Sequence, residues 1–202
     1  MASSSIVYGI YQPQISVSEP DRLQRRLLAQ MRTWLPVLAC AMVFVIESTS
    51  YLGSDHTSAP LRRIAEALFG YGVDAQWAAI HHFIRKTGHF MGYGFFSLVC
   101  FRGFWIAFKS LASGTSRKLR AHGLAILATF LVASADEFHQ SFLPNRYGSF
   151  NDVLLDTCGA VALCFVLFLV MQAIDWRKQM QQRSMSQREP AYFHLPPEGL
   201  AN

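Results

Sequence analysis

Charge is scarce in this 202-residue sequence. Lys, Arg, Asp and Glu make up 15% of it, against about 25% in a typical soluble domain. That scarcity argues against an ordinary water-soluble domain. The apolar residues, 51% of the chain with a mean hydropathy of +0.20, are gathered into long runs. Cysteine is limited to four residues: Cys40, Cys100, Cys158 and Cys164, each inside an apolar segment. They read as small buried hydrophobes and not as a disulfide set or a metal cluster. His89, Asp136, Glu137, Asp152 and Asp156 are chemically suitable metal ligands, but no HExxH or comparable metal-ligand spacing occurs, so no metal is expected, and no cofactor is expected either. Met1–Glu19 has no basic n-region, and no cleavable signal peptide is expected there. The net charge of +5 sits beside apolar runs, with no basic stripe interleaved with aromatics. That pattern excludes nucleic acid as the expected partner.

What is present is a series of membrane-length apolar segments. They predict an all-α, polytopic membrane protein, a bundle of four transmembrane helices near Leu35–Thr49, Thr87–Phe108, His122–Gln140 and Asp152–Ile174. The connection between the first two spans carries a short interfacial helical segment. Leu61, Ile64, Ala65 and Leu68 recur at helical spacing there, with Pro60 suited to a first turn. Asp74 can cap a second short helix bearing Trp77, Ile80 and Ile84. His56, His81 and His82 read as interfacial surface residues. The expected organisation is a disordered segment over 1–20, a membrane domain over 21–176 and a flexible cytoplasmic tail over 177–202. Small residues let helices approach closely, so Gly159 and Ala160 are expected to face another helix, with Gly92 or Gly94 opposite.

Positive charge sets the expected orientation. Arg22, Arg25, Arg26 and Arg32, the loop from Lys109 to Arg120, and Arg177, Lys178 and Arg183 place those segments, and both termini, in the cytoplasm. Arg62, Arg63, Arg85 and Lys86 lie in the first outside connection and weaken that bias.

The richest stretch runs from Asp136 to Gly159. Asp136, Glu137, His139, Gln140, Arg146, Asp152 and Asp156 stand between two long apolar runs. Charged side chains at the ends of spans are costly, so they usually have partners and often a function. On the second span Lys86, His89 and Tyr93 share a helix face at i, i+3 and i+4 spacing, as do Asp136 with Gln140 and Asp152 with Asp156. The orientation brings all these faces to the outer leaflet. Glu137, Arg146 and Asp152 are expected to form one charged network beside His89. His139 can point toward water at the headgroups.

The ordered set Lys86, His89, Tyr93, Asp136, Glu137, Gln140, Phe142, Arg146, Ser149, Asp152 and Gly159 resembles the VanZ-like family over roughly 35–169. The resemblance implies a small integral protein of the bacterial cytoplasmic membrane and cell envelope. Family members are linked to low-level glycopeptide resistance, a form of antibiotic resistance. The family usually has an aspartate just before the lysine, where this chain has Arg85, and an asparagine where it has Asp156. Three classes of function stay open. In one, the cluster binds a lipid headgroup or a cell-wall-related ligand: cations take phosphate or carboxylate, acids take amines or hydroxyls. In the second, a membrane enzyme acts on such a headgroup, with His89 and Glu137 as acid/base candidates and Glu137 or Asp136 orienting the histidine. In the third, the charges only fix helix packing. Membrane lipids and a lipid-linked or cell-wall ligand are the expected partners.

Overall fold

The computed structural model describes residues 19–49, 54–70, 75–143 and 147–188. Five helices and no strand are found among them: α1 (Glu19–Glu47), α2 (Ser54–Phe69), α3 (Trp77–Ala107), α4 (Gly114–Gln140) and α5 (Phe150–Arg188). All but α2 are long and apolar enough to cross a membrane. The all-helical reading therefore holds, with four candidate spans.

The helices run longer than the apolar patterns that announced them. In α1 the basic stretch and the first apolar run form one helix, with Pro36 inside it. α2 begins at Ser54, so Pro60 lies within the helix and not in its first turn. The separate short helix expected around Trp77 is continuous with α3, because Ile84–Thr87 contains neither Gly nor Pro to break it. α4 starts at Gly114, whose φ of +56° is the left-handed conformation that glycine tolerates best. Much of the expected basic loop is therefore helical. α5 continues to Arg188, so residues 177–188, read as the start of a flexible tail, are helical as well. Residues 1–18, 189–202 and Asp74 lie outside the described residues.

α3 is the hub. It packs against α5, α4, α1 and α2, and its contact with α5 is the most extensive in the molecule. α3 and α5 run parallel: Ser97 reaches Ala160 and Cys164, while His89 lies beside Asp156. α4 is antiparallel to both, with Phe101 against His122 at 4.3 Å and His122 against Phe168 at 5.6 Å. α1 leans on α3 through Phe44, stacked on Tyr93 at 4.2 Å, and Trp34, edge-on to Phe104 at 5.3 Å. Thr33 alone is buried along α1. α2 meets α3 where Trp77 Nε1 donates to Ser58 Oγ at 2.8 Å.

The α3–α5 seam rests on glycine. A Cβ built on Gly159 would lie 2.1 Å from the Phe90 carbonyl oxygen, and one on Gly94 would lie 3.0 Å from the Gly159 carbonyl oxygen. Gly94 is thus the counterpart of Gly159, whereas Gly92 faces Phe44 of α1. All four cysteines are free thiols. Gly159→Ala must push two backbones apart, an overpacking cost of about 1–3 kcal/mol. Gly123→Ala meets open space on α4 and should be neutral or stabilising by about 0.5–1 kcal/mol. Thermal unfolding in detergent checks this; equal melting of Gly159→Ala and wild type would contradict the seam.

Candidate functional site

The register of the seam decides which polar groups meet. Lys86, His89 and Tyr93 project from one face of α3, and Asp152 and Asp156 from one face of α5. With the helices parallel, Lys86 Nζ donates to Asp152 Oδ1, and His89 Nδ1 lies 3.7 Å from Asp156 Oδ2. That separation suits an ion pair but exceeds a hydrogen bond. One turn deeper, the Tyr93 hydroxyl donates to Asp136 Oδ2 of α4 at 2.9 Å, and Gln140 Nε2 donates to the same oxygen at 3.1 Å. Tyr93, Glu137, Gln140 and Asp156 are buried.

Glu137 works locally. The Ser149 backbone N–H donates to its Oε2 at 2.8 Å, and the Ser149 carbonyl accepts from Asp152 N–H at 2.9 Å at the start of α5. The carboxylate thus sits at a helix N-terminus, where backbone N–H groups and the helix dipole favour an anion. Gly148 makes this possible, since a Cβ there would lie 2.2 Å from the Glu137 carbonyl oxygen. Of the expected Glu137–Arg146–Asp152 network, Glu137 is held by Ser149 and Asp152 by Lys86, while Arg146 lies outside the described residues. The residue beside His89 is Asp156, not Glu137 or Asp136.

The cluster is unevenly satisfied. Asp136 Oδ1 and both carboxylate oxygens of Asp156 are buried without a hydrogen-bond partner among the described residues. Asp156 has no solvent exposure at all (0%). A buried ionised group without compensation is expensive, so the half-buried His89 is the group on which Asp156 depends. His89 also lines a cavity of about 500 Å³ between α1, α2 and α3, together with Glu47, Arg85 and Gly88. Among the described residues it is the one cluster residue that both lines this cavity and lies beside the buried acid. Among the described residues, no three His, Cys, Asp or Glu side chains converge as metal ligands would.

Several contacts escaped the sequence. Ser48 Oγ and His139 Nδ1 are 3.0 Å apart, tying the end of α1 to α4; nothing in the residue order signals that pair. His81, read as a surface residue, is buried and stacks on Trp77 at 5.6 Å, whereas His82 is exposed and His56 has no described side chain. At the far end Lys118, read as part of a basic loop, is buried and donates to Gln172 Oε1 at 2.7 Å and to Asp175. Arg117 lies over the Trp105 ring at 3.8 Å.

A family model described as VanZ/LLP1 matches residues 33–185, a span that includes every residue of the cluster. No curated protein and no solved structure matches the chain.

Glu137 offers a direct check on this geometry. Glu137→Gln keeps a carbonyl oxygen for the Ser149 N–H and should melt close to wild type. Glu137→Leu strands that N–H and should cost about 1–3 kcal/mol. Indistinguishable melting curves for the two variants would contradict the assigned bond.

Proposed function

Because the chain belongs to the VanZ/LLP1 family, we propose that this VanZ-like membrane protein binds the headgroup of a lipid or lipid-linked envelope precursor at the polar cluster. Through that binding it contributes to glycopeptide tolerance. One observation carries the reading: His89 stands between a cavity and a fully buried aspartate that has no hydrogen-bond donor among the described residues. A network built only for packing gains by satisfying all its members. Here the least satisfied member lies directly behind the residue that lines the cavity.

In this reading the membrane is the bacterial cytoplasmic membrane, both termini are cytoplasmic and the cluster is on the outer face. Supporting that orientation, Arg117, Lys118, Arg120, Arg177 and Lys178 gather at the end of the bundle opposite the cluster. The cations at the cluster end are not equivalent. Lys86 pairs with Asp152, whereas His89 and Arg85 both line the cavity and are of the chemical type that meets a phosphate or carboxylate.

A second reading has its own support. An imidazole with Nδ1 toward a buried carboxylate presents Nε2 on the opposite edge, the arrangement a general base uses to take a proton from water or a hydroxyl. In that case Asp156, rather than Glu137, orients His89. Release of headgroup phosphate on incubation with phospholipid would favour this enzyme reading.

The test is a paired measurement on His89→Gln in a bacterial host and in detergent. Tolerance to a lipoglycopeptide should fall to that of the deletion strain, while the melting temperature stays within about 2–4 °C of wild type, a change of roughly 1 kcal/mol for a chain this size. Retained tolerance would refute headgroup binding. A collapse in melting temperature would assign the cluster to packing.

A further inference from the structure

One face of α3 is left open between α1 and α5. Both helices pack on α3, and α4 touches both of them, yet among the described residues α1 and α5 do not touch each other. α2 is tied to the other end of α3, at Trp77. Met91, Phe95, Arg102 and Ile106 recur at helical spacing on the open face, and all four are exposed. Three of them are apolar, as suits a face that meets hydrocarbon. The fourth is a cation, set about 8 Å inside the end of α3 at Ala107.

A charge facing lipid is costly without a counter-ion, and this chain supplies none. Arg102 has no hydrogen-bond or ion-pair partner among the described residues. α3 carries no acid, α1 none from Arg22 to Ile46, α4 none before Asp136 and α5 none from Thr157 to Ile174. Trp34 of α1 stands against Gly103, so Asp21 lies about three and a half turns beyond the level of Arg102. Asp175 is held by Lys118. A second copy of the chain would bring only these same acids. The counter-ion therefore has to come from the membrane.

We propose that the furrow between α1 and α5 holds an anionic phospholipid of the leaflet opposite the polar cluster, with its phosphate on Arg102. The aliphatic stem of Arg102 lies along the apolar face while the guanidinium rises to headgroup depth. Its planar fork of N–H donors fits two phosphate oxygens at once. Lys109, Arg120, Arg177 and Lys178 gather at the same end, and their field favours a net negative lipid over a zwitterionic one. The headgroup reading concerns His89 in the other leaflet, and neither site depends on the other.

Native mass spectrometry of the full chain with dioleoyl phosphatidylglycerol, and with dioleoyl phosphatidylcholine for comparison, tests the furrow. Arg102→Gln removes the fork from an exposed position. Arg120→Gln removes the same charge from an exposed position on α4 at the same end and serves as control. The expected result is a preference for phosphatidylglycerol in the wild-type protein, about a tenfold loss of that lipid in Arg102→Gln and little change in Arg120→Gln. The loss should be as large in the His89→Gln background, which keeps this site apart from the one in the other leaflet. If Arg102→Gln is not recovered folded, Arg102→Lys, which keeps the charge but loses the fork, is read in its place and should show a smaller loss of the same sign. Equal losses in Arg102→Gln and Arg120→Gln would reduce the site to a diffuse positive field and overturn it. So would undiminished binding in Arg102→Gln, or a lipid-free wild-type dimer that Arg102→Gln dissociates.

Discussion

At Gly159 the backbones of α3 and α5 touch at the Phe90 carbonyl, and Gly94 leaves room for the Gly159 carbonyl and the Leu163 side chain. Two helices that close cannot slide past one another without collision, so the contact holds their register as well as their distance. Between lipid-exposed helices the hydrophobic effect supplies little attraction, and small-residue contacts of this kind let packing forces take over. The polar pairs above the seam follow from it. With Gly159 against Phe90, one turn outward brings Asp156 to His89, and a further turn brings Asp152 to Lys86.

The charges themselves are weak candidates for the glue. Side chains of Lys86 and Asp152 are each about a third exposed, at 33% and 29%, and pairs in such settings contribute about 0–1 kcal/mol. Asp156 is the opposite case, fully buried and short of donors. Retaining a costly carboxylate there makes sense if its role is to hold His89 at the cavity. Glu137, by contrast, has a local role: it receives the Ser149 N–H and anchors the turn that leads into α5. The three acids thus differ in what they do because they differ in what surrounds them.

Much of this was legible in the residues. Apolar runs gave the four spans, i+3 and i+4 spacing gave the faces of Lys86, His89, Tyr93 and of Asp152, Asp156, and small residues pointed to a contact of Gly159 with Gly92 or Gly94. The partners were not legible. Which acid stands beside His89 depends on the order of helices around the bundle and on the parallel register of α3 and α5, and periodicity within one helix carries no information about either. The same gap hid Ser48 with His139 and the cavity rim formed by Glu47 and Arg85, since each joins helices distant in sequence. Helix ends were misplaced for a different reason. Polar residues such as Arg117, Lys118 and Gln179 are good helix formers, so α4 and α5 extend beyond the apolar pattern used to find them.

The central claim is that His89 and Asp156 act as one unit at the cavity. A double-mutant cycle of His89→Gln and Asp156→Asn, read by phosphatidylglycerol affinity in nanodiscs, tests it most directly. Residues acting together give strongly non-additive effects. The account predicts that each single variant loses affinity and that the double variant loses no more than the worse of the two. Losses that add, or a full loss in His89→Gln with none in Asp156→Asn, would contradict it.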